Sequence, residues 1–120
     1  MTSTTMNNII DTSKLPEIER LPGWRGRYFD SPNMTFAHYQ FDQGASIHEH
    51  SHFQEEVYEI IEGELEITIN GVAALYGPGF AAIVPSDTLH SVKAITSGRV
   101  IIVDYPHRET PAQIVTEPHY

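Results

Sequence analysis

The sequence predicts an all-β sandwich or barrel. Three observations carry that expectation: short apolar or alternating runs, turn residues (Gly, Pro, Asn) at even spacing between them, and no long amphipathic helical period. Residues 1–33 are polar, with Pro16 and Pro22 as breakers, and read as an N-terminal arm with an edge strand. From Met34 to Tyr105 the pattern is that of a barrel. "MTFAHYQF" alternates as a strand does and "DQG" closes it. Which of its faces points inward stays open: Met34, Phe36, His38 and Gln40 form one set, and Thr35, Ala37, Tyr39 and Phe41 the other. "VYEIIEGELEITING" gives two strands about Glu62-Gly63 and ends in Asn70-Gly71, a strong hairpin signal. "GPG" is a corner, "FAAIV" a short strand ended by Pro85, and "HSVKAI" and "RVIIVDY" flank the turn "TSG". Residues 106–120 read as an extended C-terminal tail.

Composition narrows the function classes. A chain of 120 residues makes one domain. A domain of that size buries only about two-thirds of its unfolded surface, which favours a homo-oligomer. There is no cysteine, so disulfides, thiolate nucleophiles and Cys-ligated metals are excluded. The net charge of −9, with 7 basic and 16 acidic residues and no basic stripe, argues against nucleic acid as a partner. No apolar run is long enough to span a bilayer, and "MTSTTMNNII" lacks the pattern of a signal peptide, so the expected location is cytoplasmic.

The chemistry concentrates in "HEHSHFQEE", residues 48–56. In an extended strand side chains alternate with a period of two, so His48, His50 and His52 would share a face. Glu56 has the same parity but would lie about 13 Å beyond His52 in a straight strand, whereas ligands sit about 2 Å from a metal. If Glu56 joins the histidines, Phe53-Gln54-Glu55 must turn the chain and Glu56 must enter on the next strand. Glu55, of opposite parity, then faces solvent, and a slip of one residue would exchange the two glutamates. "PSDTLHSV" offers His90 as a further ligand, at a strand start after a turn. Imidazoles with one carboxylate suit one divalent transition ion (Fe, Mn, Ni, Zn, Co or Cu) rather than calcium or magnesium. The histidines must be neutral to bind it, so affinity should fall below about pH 6.

These residues carry a resemblance. Gly44 to Gly63 reads G-x5-H-x-H-x3-E-x6-G and resembles the first signature of the cupin superfamily. Gly79 to Ala94 is similar to the second, with Gly79, Pro85 and His90 in place, Asp87 at a glycine position and Ala94 at an asparagine position. Asp tolerates a left-handed turn better than most residues. Fifteen residues separate Gly63 from Gly79, as in small single-domain cupins. The resemblance implies an RmlC-like jelly-roll barrel, a metal held by His50, His52, Glu56 and His90, and a homodimer with crossing N-terminal arms. "GASIHEHSH" and "VDYPHRE" are further similar to cupins that linearise unsaturated uronates, which implies Arg108 as the contact for a substrate carboxylate.

Around that site, His48 reads as a barrel-rim residue, with an acid–base role behind the ligands as the alternative. Tyr58 and Val92 share the ligand parity in their own strands and are pocket candidates. Val100, Ile102 and Asp104 share a face. If it is inward, Asp104 is a buried carboxylate and a general acid–base candidate, while a strand-end position favours exposure. The expected activity is that of a metal-dependent enzyme on a small oxygenated substrate, by Lewis-acid isomerase, lyase or cyclase chemistry such as sugar-acid ring opening, or as a dioxygenase. A non-catalytic cupin binding a sugar or other small ligand is the alternative.

Overall fold

In the computed structural model residues 8–108 are described; residues 1–7 of the expected arm and 109–120 of the expected tail lie outside them. A short 3-10 turn, Thr12–Lys14, precedes ten strands among the described residues. These are β1 (Ile18–Leu21), β2 (Trp24–Asp30), β3 (Thr35–Phe41), β4 (Ser46–His50), β5 (Glu55–Glu62), β6 (Leu65–Ile69), β7 (Val72–Tyr76), β8 (Ala81–Val84), β9 (His90–Ala94) and β10 (Gly98–Tyr105). They form two antiparallel sheets of a jelly-roll barrel, the larger ordered β1-β2-β3-β10-β5-β8 and the smaller β4-β9-β6-β7. No described helix is long and apolar enough to cross a membrane.

Alternation along each strand decides what fills the space between the sheets. In β3 the buried set is Thr35, Ala37, Tyr39 and Phe41, which settles the two registers left open by the sequence. In β5 the inward set is Glu56, Tyr58 and Ile60, and in β10 it is Val100, Ile102 and Asp104. Ile47, Leu65, Ile67, Val92 and Ala94 face them from the smaller sheet. Cross-strand register orders these side chains into rows. The row Thr35–Asp104–Glu56–Val84 runs across the inside of the larger sheet, and the row Ala37–Ile102–Tyr58–Ala82 lies one step deeper. The barrel is therefore apolar along most of its length and polar at one end.

The lead-in before Met34 is more regular than an arm with one edge strand. It holds two paired strands, and Trp24, only 2% exposed, packs edge-on to Tyr39 at 5.8 Å and against Phe41 at 5.4 Å. The prolines read as breakers sit outside the strands, with Pro16 before β1 and Pro22 in the turn to β2, so they delimit strands rather than dissolve them.

Two turns show why the sequence needs particular residues. Asn70 (φ 50°) and Gly71 (φ 82°) both adopt positive φ, as a tight turn between β6 and β7 requires. Gly63 (φ 83°) is different in kind, because a Cβ there would also run into the carbonyl oxygen of Ser97 and come within 2.9 Å of the Gly98 α-carbon. Gly79 (φ 87°) has nothing within 4 Å of that position. Gly63→Ala should therefore cost about 3 kcal/mol or more, and Gly79→Ala about 1 kcal/mol. Denaturant melts of the two variants check this, and equal losses would show that the close approach to the turn before β10 is unimportant.

Candidate metal centre

Four side chains converge at the polar end of the barrel. One ligand atom from each of His50, His52, Glu56 and His90 lies within 4.8 Å of the others. The two sheets supply them jointly. His50 ends β4 and is in register with His90 at the start of β9, while Glu56 reaches in from β5. His52 follows β4 in a loop that turns the chain back before β5, as the spacing of Glu56 demands. Second-motif residues pin that loop: the Asp87 N–H donates to the His52 carbonyl at 2.8 Å, and the Ser86 hydroxyl donates to the Phe53 carbonyl at 2.5 Å. Asp87 makes this turn with φ 58°, the left-handed conformation usually given to glycine.

The histidine alternation holds only in part. The pairing of β4 with β9 shifts register between Ile47 and His50, and this irregularity turns the strand. Ile47 and His50 both face inward although they are three apart, and His48 faces solvent. The His48 ring centroid still lies 5.7 Å from that of His50, at the rim of the site. Glu55 is exposed and Glu56 fully buried, as parity requires.

Three hydrogen bonds of one pattern prepare the imidazoles. His50 Nδ1 lies 2.8 Å from the His48 carbonyl, His52 Nδ1 3.1 Å from the Gln54 carbonyl, and His90 Nδ1 2.8 Å from the Thr88 carbonyl. A carbonyl oxygen only accepts, so in the neutral rings each Nδ1 carries the proton and each Nε2 offers its lone pair. Those Nε2 atoms point at one another and at Glu56. Glu56 Oε1 lies 3.1 Å from His90 Nε2 and 3.6 Å from His52 Nε2. Lone pair then faces lone pair in a buried space, an arrangement that a cation resolves. Fixing each ring through its other nitrogen is how proteins orient metal-binding histidines. The residues present therefore fit a divalent transition ion with three nitrogen ligands and one oxygen ligand.

Electrostatics agree with a site held ready for positive charge. Burial, together with the neighbouring His90 and His52, pushes His50 down to about 4, against the opposing pull of its bond to His48 and of Glu56. Burial works against the charge of Glu56, but the side chains of His52, His90 and Asp104 beside it prevail and hold its carboxyl well below the ordinary range. Asp104, which the strand-end argument placed in solvent, is instead 4% exposed. β10 runs on for its full length between β3 and β5, so its last inward residue is covered on both sides. Burial first, and then the charge of Glu56, pushes Asp104 up to about 10.

Arg108 also enters the site. Its Nη1 lies 3.7 Å from Glu56 Oε2 and 3.8 Å from Asp104 Oδ2, and its side chain is only 10% exposed. Sequence reasoning missed the residue that places it there. The Arg108 N–H donates to Thr35 Oγ1 at 2.8 Å, and the Thr35 hydroxyl donates to Asp30 at 2.7 Å, which brings the chain after β10 back over the barrel end. Nothing in "NMTF" marks Thr35 for this role except its membership of the inward set. Tyr58 and Val92 are both buried, in the layer beneath the four converging side chains.

Comparisons with known proteins now bear on a described fold and site. No curated protein matches the chain. Solved structures match well. An RmlC-like cupin from Shewanella frigidimarina NCIMB 400 aligns with a TM-score of 0.80 and 22% identity over 86% of this chain and 94% of that one. KdgF from Halomonas sp. aligns with a TM-score of 0.80 and 22% identity over 86% of this chain and 96% of that one. A variant of oxalate decarboxylase from Bacillus subtilis aligns with a TM-score of 0.75 and 20% identity over 87% of this chain but 30% of that enzyme's chain. At these identities the likeness establishes the fold alone. The family model described as the cupin domain, Cupin_2, matches residues 37–105, more than half of the sequence and nearly all of the barrel that carries the four converging side chains. The chain belongs to the cupin-domain family.

Proposed function

We propose that the protein is a metal-dependent enzyme acting on a small oxygenated substrate that bears a carboxylate, with His50, His52, Glu56 and His90 holding one divalent transition ion. The observation that carries this reading is the set of Nε2 atoms fixed through Nδ1 and aimed at a buried carboxylate, with Arg108 and Asp104 beside it. A divalent ion bound there supplies Lewis-acid polarisation of a carbonyl, hydroxy-ketone or enol oxygen. The chain's own groups do the remaining work. The Arg108 guanidinium pairs with a substrate carboxylate and fixes the orientation of the rest of the molecule. Asp104, in register with Glu56 and within 3.8 Å of Arg108, is placed to hold or accept a proton at its carboxyl oxygens. Tyr58 and Val92 close the floor and keep water from entering below. His48 stands at the entrance, within reach of a substrate but outside the ligand set.

This set suits isomerisation, elimination, cyclisation or the opening of a sugar-acid ring. Unsaturated uronates are the first substrates to try, on the resemblance carried by "GASIHEHSH" and "VDYPHRE". The functional unit in this reading is a homodimer. The test is turnover of carboxylate-bearing sugars by metal-loaded protein, with Arg108→Ala beside it. Loss of one charge-assisted contact should raise KM for such substrates about 10- to 100-fold. Unchanged kinetics in Arg108→Ala would remove Arg108 from substrate binding. Tight binding of sugar acids by fully loaded protein with no turnover would favour the ligand-binding alternative.

A further inference from the structure

Arg108 reaches the metal centre from a segment that has already left the sheet. β10 ends at Tyr105, and Arg108 follows three residues later. Its backbone nevertheless meets Thr35, the cross-strand partner of Asp104. The chain therefore bends back after β10, and residues 106–108 lie as a strap over the polar end of the barrel.

The strap is clasped on two sides. On the β3 side, Thr35 Oγ1 accepts the Arg108 N–H at 2.8 Å. The single hydroxyl proton of Thr35 lies between Asp30 Oδ1 at 2.7 Å and the Arg108 carbonyl oxygen at 3.1 Å. Thr35 is only 4% exposed, so water does not readily replace these partners. On the side of the loop that carries His52, the Gln54 side-chain amide donates to the His107 carbonyl at 3.4 Å. The backbone carbonyl of the same Gln54 accepts from His52 Nδ1. Gln54 thus touches both a metal-binding imidazole and the strap.

The Arg108 side chain needs such a hold. Its Nη1 contacts with Glu56 and Asp104, at 3.7 and 3.8 Å, are too long for close hydrogen bonds. Those two pairs draw the guanidinium inward without setting its direction. An arginine on an unheld segment would lose backbone as well as rotamer freedom each time it met a substrate carboxylate. A backbone fixed beforehand leaves only the side chain to order.

We infer that Thr35 and Gln54 are positioning residues for Arg108, holding the strap so that its guanidinium meets the carboxylate of the substrate at the metal centre. This rests on the reading of Arg108 as the substrate-carboxylate contact. Thr35 and Gln54 act through the strap backbone and not on the substrate itself.

Two readouts on the full, metal-loaded chain test it. The first is hydrogen exchange of the Arg108 backbone amide, followed by NMR. Thr35→Val keeps the branched shape without the hydroxyl and should speed that exchange about 10-fold or more. Thr35→Ser restores the hydroxyl and should stay within a few-fold of wild type. The second readout is kinetics with an unsaturated uronate. Thr35→Val and Gln54→Ala should each raise KM about 3- to 10-fold and leave kcat within about twofold, since a contact made equally in the ground and transition states moves KM alone. Gln54→Ala retains the carbonyl that orients His52, so its metal affinity by calorimetric titration should match wild type. In an Arg108→Ala background neither change should raise KM further. Unaltered amide exchange in Thr35→Val would overturn the inference, as would KM increases that are the same with and without Arg108. If Arg108→Ala raises KM and neither Thr35→Val nor Gln54→Ala does, the inference alone falls. If Arg108→Ala leaves KM unchanged, the carboxylate-contact reading falls and the positioning role with it.

Discussion

His52→Ala lowers the affinity for a divalent transition ion by about 100-fold or more, since loss of even a group behind the ligands costs about 10- to 100-fold. Turnover falls with it. The reason lies in how His52 is held. It sits in the loop between β4 and β5, its Nδ1 tied to the Gln54 carbonyl and its own carbonyl taken by the Asp87 N–H. Alanine keeps that second bond, so the loop stays in place while one of three nitrogen ligands is lost. Isothermal titration with Mn, Fe, Ni and Zn ions measures the effect. Full metal occupancy in His52→Ala would show that His52 is not a ligand.

Removing the metal should lower the melting temperature by about 10 °C. The metal-free site keeps a buried carboxylate among imidazole nitrogens, with no solvent to screen it. Ligand that binds only the folded chain stabilises it by about 2.7 kcal/mol at a hundredfold excess over Kd. For a domain of this size each kcal/mol moves the melting point by several degrees. Glu56→Gln should respond differently: it removes a carboxylate whose charged form the surrounding groups favour, so the metal-free variant melts at or below the metal-free wild type, and it gains little from added metal. Differential scanning calorimetry with and without chelator decides this. Equal melting points for loaded and chelated wild type would contradict it.

pH acts on the metal-free chain through the same groups. His50 is depressed from 6.5 to about 4. Between those values the unfolded chain binds a proton at His50 that the folded chain does not. Stability is therefore fully present above pH 6.5 and is lost progressively as pH falls toward 4. Glu56, held below the ordinary carboxylate range, loses its contribution in the same direction at lower pH. The sequence alone suggested that metal affinity fails below about pH 6; burial moves the competition from protons at His50 toward pH 4.

Much of the site was legible because metal chemistry constrains residue types and spacings together. The gap from His52 to Glu56 required a turn, and the loop between β4 and β5 supplies it. Asp87 at a glycine position required a left-handed turn, and its φ of 58° supplies that. What the sequence left open were properties of neighbours far apart in the chain. The shift between Ile47 and His50 depends on β9, so alternation within β4 could not reveal that His48 turns outward. Asp104 is buried because β3 and β5 flank the end of β10, and a strand-end rule applied to one strand misses that. Arg108 reaches the site through Thr35, across 73 positions of sequence separation. The inward face of β3 was undecidable because both of its faces carry large side chains, Tyr39 and Phe41 on one and Phe36 on the other.

The most direct test of the central claim is elemental analysis of protein expressed without a histidine tag, reporting metal per chain. The account predicts one equivalent of a divalent transition ion, reduced to background in His52→Ala and in His90→Ala. A wild-type chain that holds no such metal, even after reconstitution with each candidate ion, would contradict it.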